Sequence, residues 1–350
     1  MSEIIKVLIV DDSELTREII KNILEKDPAI RVVGIAENGL QAIECAQRLK
    51  PDVITMDINM PVMDGLKATE QIMAYCPTPI LVLSSVLEKE GAYTTFNALA
   101  AGAVDAMEKP SLVENTTWDE MANVLVKKVK LISKAKVITH IKGKMQEIFR
   151  HKEQVLHQAS HNYEIIAIGA STGGPSIIMQ ILKNISPGCN ASIVIVQHMA
   201  AGFTESFVEW LGNNCKVPIK LAQEGEKIEQ GHVFVAPNGC HTIVREKRTF
   251  GLVQGEPVNG VKPSVDILFN SLAEVYGDST IAVLLTGMGA DGAKGLKHIK
   301  DKGGFTIAQS EESCTVFGMP KVAIEMGAAN KVLSIEDIIC ALNTMNKNRV

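Results

Sequence analysis

Short apolar runs alternate with amphipathic stretches in two separate series, and this pattern constrains the chain more than any other feature. The first series is Ile4–Val10, Val32–Ala36, Val53–Met56, Ile80–Leu83 and Val104–Met107, with helical patterns between them such as Leu40–Leu49, entered through Asn38 and Gly39. Apolar runs this short, separated by helices, form parallel strands covered on both faces. Five such units suit one doubly wound domain. The alternation stops over Val126–Lys152, where Lys127, Lys128, Lys130, Lys134, Lys136, Lys142, Lys144 and Arg150 crowd together. A basic helix of this kind could serve a membrane surface or nucleic acid. No aromatic anchors accompany the charges, which favours a solvated helix joining two domains. A second series follows: Ile165–Ile168, Ser192–Gln197, Ile281–Thr286 and Phe305–Gln309. Between Pro218 and Gly260, the runs Val233–Ala236, Thr242–Arg245 and Gly251–Gln254 read as short strands separated by turns, a hairpin-like insertion.

Composition narrows the class. The 350 residues are 46% hydrophobic and 21% charged, a folded chain with room for two domains. A net charge of -5 argues against nucleic acid as a partner, since phosphate binding needs a concentrated positive face. The seven cysteines are scattered, with no CxxC pair to suggest zinc or a disulfide framework. Nothing reaches the roughly 18 apolar residues of a membrane span, and the N-terminus opens directly into a strand-like run, so a cytoplasmic location and no direct membrane insertion are expected.

Residues with chemistry stand where the apolar runs end. Asp11 and Asp12 follow the first run and Asp57 the third; Ser84 ends the fourth and Lys109 the fifth. In an open parallel sheet these positions meet at the carboxyl edge. Three carboxylates there repel one another and call for a divalent cation, and oxygen ligands suit Mg²⁺. A hydroxyl and an ammonium converging on a carboxylate can hold the oxygens of a phosphoryl group attached to it. Val10-Asp11-Asp12-Ser13, Met56-Asp57-Ile58-Asn59-Met60-Pro61-Val62-Met63-Asp64-Gly65, Leu83-Ser84-Ser85 and Glu108-Lys109-Pro110 resemble the receiver domain of bacterial response regulators. The resemblance covers residues 1–125. It implies a flavodoxin-like fold, phosphorylation of Asp57 by a histidine kinase, and Mg²⁺ held by Asp12, Asp57 and the Asn59 carbonyl with Asp11 behind them. Ser84 and Lys109 would contact the phosphoryl group. Ala106 stands where receivers commonly carry an aromatic residue.

In the second series, Ile165–Ile168 runs into Gly169-Ala170-Ser171-Thr172-Gly173, which matches GxSxG, a turn that lifts a serine hydroxyl clear of a sheet. A Gly-rich strand-to-helix turn also cradles nucleotide phosphates, but the GxGxxG spacing and a following Gly-Lys-Ser/Thr are absent. A purely structural turn is the other reading. Among eight histidines only His198 ends an apolar strand on the same sheet edge as Ser171, a placement that favours a general base. Asp291, in Thr286-Gly287-Met288-Gly289-Ala290-Asp291-Gly292, either complements a helix N-terminus or orients an imidazole. The order Ser171, His198, Asp291 is not that of α/β-hydrolases.

These residues, with Gln197-His198-Met199, Gly231-His232-Val233-Phe234-Val235-Ala236-Pro237 and Lys262-Pro263-Ser264-Val265-Asp266, resemble the catalytic domain of the chemotaxis protein-glutamate methylesterase (CheB) family. Ala200 stands where family members often have Pro. The resemblance implies a receiver domain at 1–125, a basic helical linker at 126–160 and a methylesterase domain at 161–347, the second also doubly wound α/β. It implies a Ser171–His198–Asp291 triad, an oxyanion near the backbone amides of Thr172 and Met288, and methylated chemoreceptors as substrate, with glutamine deamidation as a second activity. Mg²⁺ would serve receiver phosphorylation, and ester hydrolysis would need no cofactor. The receiver is expected to cover an open groove around Ser171 until phosphorylated. The rival readings are a response regulator with a DNA-binding output, for which no basic recognition helix appears after residue 160, and a nucleotide-dependent oxidoreductase built on the Gly-rich turn.

Overall fold

The computed structural model describes residues 4–84, 89–110, 118–135, 163–186, 189–200 and 202–345. The chain divides into two compact units, Met1–His140 and Ile141–Val350. Among the described residues no helix is long and apolar enough to cross a membrane.

The first unit carries strands β1 (Ile5–Val10), β2 (Ile30–Ala36), β3 (Val53–Asp57), β4 (Ile80–Ser84) and β5 (Asp105–Glu108), and helices α1 (Glu14–Leu24), α2 (Gly39–Leu49), α3 (Gly65–Tyr75), α4 (Lys89–Ala100) and α5 (Trp118–Ile132). The strands form one parallel sheet in the order β2-β1-β3-β4-β5, the flavodoxin-like arrangement expected. Strands β3 and β4 are buried along their whole length because helices cover both faces. Helices start where a side chain can satisfy their free amides: Ser13 accepts from the Thr16 amide, Asn38 from Gln41 and Asp64 from Lys67. The order reverses direction beside β1, so a crevice opens at the carboxyl ends of β1 and β3.

The expected boundary at residue 125 needs correction. Helix α5 runs on to Ile132, and Leu125, Val129 and Ile132, spaced four and three apart on one helical face, are fully buried in the first unit's core. Two of the lysines assigned to a linker are tied to this domain: Lys128 pairs with Asp105 on β5 and Lys130 with Asp27. The charged side chains lie over the apolar stripe of the same helix. The rest of the expected linker, residues 136–160, lies outside the described residues, as do His140, His151 and His157.

The second unit has a seven-stranded parallel sheet in the order β14-β13-β12-β6-β7-β9-β8, made of β6 (Ile165–Ala170), β7 (Ser192–Gln197), β8 (Ile219–Leu221), β9 (Val233–Val235), β12 (Thr280–Leu284), β13 (Phe305–Gln309) and β14 (Lys331–Leu333). Strands β10 (His241–Arg245) and β11 (Thr249–Val253) form a separate antiparallel hairpin. Val233–Ala236 therefore does not belong to the hairpin insertion. Its Val-Phe-Val core is buried on both faces and pairs with β7 and β8 in the main sheet. On one side of that sheet, helices Val265–Val275 and Ala293–Asp301 pack Leu268, Phe269, Leu272, Leu296 and Ile299 against Ala167, Val194 and Leu284. Gly295 lets those two helices close up, since a Cβ there would lie 2.6 Å from the Phe269 Cβ.

If α5 is core and not connector, Ile132→Ala should lower the receiver's stability by about 2–5 kcal/mol in urea denaturation. A linker residue would give no measurable change.

Candidate functional site

Strand register assembles the first site. Val10 pairs with Met56, so Asp11 and Asp57 sit side by side at the sheet edge. Ser84 pairs with Glu108, and the Lys109 amide donates to the Ser84 carbonyl at 3.0 Å. Lys109 Nζ lies 2.8 Å from Asp11 Oδ2 and 2.9 Å from Asp57 Oδ2. Carboxylate oxygens of Asp11, Asp12 and Asp57 all lie within 4.8 Å of one another. Asp11, Asp57 and Ser84 are buried, whereas Asp12 and Asn59 are exposed. The Asn59 amide reaches Asp57 Oδ1 at 3.4 Å. Burial pushes the Asp57 carboxyl up, and the neighbouring Asp11 charge adds to this against the pull of Lys109. Burial would lower the Lys109 ammonium, but its two carboxylate partners prevail and raise it. Lys109 pairs with two of the three carboxylates, which leaves negative charge in excess, and the all-oxygen donor set fits a hard divalent cation. Arg17, which sequence patterning did not single out, fixes the loop by donating to the Asp11 and Asp12 carbonyls, both at 2.9 Å.

The second site lies at the carboxyl edge of the other sheet. Ala170 pairs with Gln197, placing Ser171 and His198 at neighbouring strand ends, and the His198 amide donates to the Ala170 carbonyl at 2.9 Å. The Ser171 amide donates to Thr286 O at 3.0 Å, which brings in the loop after β12. Gly287 permits this approach: a Cβ there would stand 2.7 Å from the Ser171 Cβ and 2.4 Å from the Met319 sulfur. Met288, next in that loop, is 53% exposed, while Thr172 is buried. His198 Nε2 lies 3.0 Å from Asp291 Oδ2. Among the described residues no hydrogen bond joins the Ser171 hydroxyl to the imidazole.

Asp291 is 2% exposed, yet its carboxyl is held below the usual range. Burial works against ionisation, and the hydrogen bonds from His198, Ser264 and Asn259 outweigh it. An ionised carboxylate only accepts, so the imidazole nitrogen that faces Asp291, Nε2, carries a proton. Of the other described histidines, His232 and His298 bond elsewhere, and His241 accepts from the Ser264 amide and bonds to the Glu256 carbonyl.

Gln197 ends β7 and opens the Gln197-His198-Met199 motif. Its buried side-chain Nε2 donates to the carbonyls of both Ser171, at 2.9 Å, and His198, at 2.8 Å. A flipped amide would aim an oxygen at two carbonyls, so the orientation is fixed by chemistry. Gln309 holds the third loop in a similar way, accepting from the Thr286 amide at 2.7 Å and donating to Ser313 O at 2.6 Å. A buried glutamine ending an apolar strand was the available signal. Gln197→Met keeps the volume and strands two carbonyls, so denaturation should show a loss of about 1–3 kcal/mol for each carbonyl left unpaired. An unchanged midpoint would mean the clasp is dispensable.

The two sites match two family models: a response regulator receiver domain over residues 7–117 and CheB methylesterase over residues 166–342. The chain is 44% identical over 338 residues to a Syntrophus aciditrophicus protein named protein-glutamate methylesterase/protein-glutamine glutaminase 1, covering 95% of this chain and 96% of that one. A Methanococcus maripaludis protein of the same activity name is 43% identical over 351 residues, again with 95% and 96% coverage. Among solved structures, the Thermotoga maritima CheB methylesterase catalytic domain is 40% identical with a TM-score of 0.50, covering 52% of this chain and 98% of that one. The chain belongs to the CheB methylesterase family, with a response regulator receiver domain preceding the methylesterase domain.

Proposed function

We propose that the protein hydrolyses methyl esters on glutamate side chains of chemoreceptor cytoplasmic domains, and deamidates glutamines there, under control of phosphorylation at Asp57. The observation that carries this is the meeting of Ser171, His198 and a charged Asp291 at one sheet edge, with Asp291 2% exposed and bonded to the imidazole.

In this reading Ser171 Oγ attacks the γ-carbonyl of the methylated glutamate and its proton passes to His198 Nδ1, since Nε2 faces Asp291. The hydroxyl and the imidazole, not bonded in the free protein, close together when the ester is seated. The tetrahedral oxyanion lies near the backbone amides of Thr172 and Met288. Collapse expels methanol, which takes the proton from His198; water then attacks the acyl-enzyme, delivering a proton to His198 and releasing the glutamate with Ser171 restored. For glutamine the leaving group is ammonia.

The acidic pocket is the control input. Asp57 is the phosphorylated residue, Ser84 and Lys109 contact the phosphoryl oxygens, and Asp12, Asp57 and the Asn59 carbonyl would hold Mg²⁺ with Asp11 behind them. Bound there, Mg²⁺ would offset the negative charge that accumulates as the phosphoryl group arrives. A chemotaxis histidine kinase supplies that group, and the protein works in the cytoplasm. Ala106, on β5 beside Val82, carries no ring, so the signal leaves the pocket through Ser84, Lys109 and their loops.

Ser171→Ala and His198→Ala should each reduce methanol release from methylated receptor membranes by about a million-fold while the fold persists. Substantial methanol release by the Ser171→Ala protein would contradict the assignment.

A further inference from the structure

The hydrogen bonds around Asp291 extend well beyond the imidazole. Its Oδ1 accepts from Ser264 Oγ at 2.6 Å, from Asn259 Nδ2 at 3.0 Å and from the Asp266 amide at 3.4 Å. Its Oδ2 accepts from the Val265 amide at 2.6 Å and faces His198 Nε2 at 3.0 Å. A carboxylate has about four lone-pair sites, so this one is filled. Rotating it to offer His198 the other oxygen would break several bonds at once inside a buried site. Four of the five donors belong to the single segment Asn259–Asp266.

That segment is built to reach inward. Asn259 sits in the left-handed region, with φ of 54°, in a turn closed by reciprocal bonds between Val258 and Val261 at 3.1 and 3.0 Å. The same Asn259 nitrogen donates to Asp266 Oδ2 at 2.9 Å, so one amide serves two buried carboxylates. Asp266 Oδ1 in turn accepts from the Gly295 amide at 2.7 Å. The two carboxylates are therefore exchanged between helices: Asp291, just before helix Ala293–Asp301, is held at the start of helix Val265–Val275, and Asp266 is held at the start of the other. Ser264 caps Val265–Val275, and its amide donates to the buried His241 Nδ1 at 3.1 Å, while His241 Nε2 bonds to the Glu256 carbonyl at 3.0 Å. The hairpin insertion thus anchors the residue that presents its hydroxyl to Asp291.

We propose that Ser264 and Asn259 are positioning residues for the hydrolytic site, acting through Asp291 to set the direction and basicity of the acceptor that His198 faces. The inference rests on the triad reading given above. Each donor does two things that can be separated. It fixes which carboxylate oxygen faces the imidazole, and it withdraws charge from the carboxylate through Oδ1, the oxygen turned away from His198. Losing a donor loosens the imidazole and slows turnover; it also makes the carboxylate more basic, so imidazolium is favoured more strongly.

The test uses full-length protein and methanol release from methylated receptor membranes. Ser264→Ala and Asn259→Gly, the second chosen because glycine accepts the left-handed backbone, should each lower kcat by about tenfold to a hundredfold, the scale of a displacement near 1 Å at a reacting centre. KM should hold, and the acid limb of the kcat/KM profile should move to higher pH. Ser264→Thr, which keeps the hydroxyl, should restore both properties. On an Asp291→Asn background neither substitution should reduce the residual rate further, because the group they act through is already altered. If Ser264→Ala fails to fold, Asn259→Gly supplies the same three readouts. Losses that multiply with that of Asp291→Asn, or an acid limb that does not move, would overturn the proposal while leaving the triad in place. An Asp291→Asn enzyme as active as the wild type would remove the triad assignment and this proposal with it.

Discussion

Keeping one buried carboxylate charged is the constraint around which the catalytic unit is arranged. An ionised group out of water is tolerated only where hydrogen bonds replace its lost hydration. Asp291 obtains them from an imidazole, a hydroxyl, a side-chain amide and the backbone at a helix start. Meeting that demand draws together parts of the chain far apart in sequence. Strand β7 leads into His198, the loop after β12 brings Asp291, and segment Asn259–Asp266 closes over them. The close packing of helices Val265–Val275 and Ala293–Asp301 at Gly295 belongs to the same arrangement, because each helix start receives the other's carboxylate. Orientation of the imidazole is then a consequence of the fold.

The receiver treats buried carboxylates in the opposite way. Asp57 and Asp11 share a single lysine, Asp12 stands exposed beside them, and burial raises Asp57. Negative charge is left in excess, which a bound cation would offset. A filled set of acceptors gives a fixed site, and an under-neutralised one gives a switch. Both stand at the carboxyl edge of a parallel sheet, where strand register alone places residues from successive strands side by side.

That shared geometry explains what could be read from the sequence. Asp11, Asp57, Ser84, Ser171 and His198 each end or follow a short apolar run, and parallel pairing does the rest. The roles of the residues that support them are not legible in the sequence, for physical reasons. Asn259 and Ser264 act on a group 32 and 27 positions away, from a segment without apolar periodicity. Ser264 also caps a helix, a role that accounts for a serine there without reference to Asp291. Gln197 reads as an ordinary strand end, since its partners are main-chain carbonyls. Strands β8 and β14 are three residues each and none of their residues is fully buried, so no apolar run marks them. In α5 the lysines masked the stripe Leu125, Val129, Ile132, because their acidic partners Asp105 and Asp27 lie elsewhere in the chain.

In the proposed reading, charge at Asp57 governs hydrolysis at Ser171 within one polypeptide. Methanol release from methylated receptor membranes, measured for wild-type and Asp57→Asn protein with and without a small phosphodonor and Mg²⁺, decides the point. The phosphodonor should accelerate the wild-type enzyme and leave the Asp57→Asn rate where it was. Equal stimulation of both proteins would contradict it, since the acidic pocket would then not be the control point.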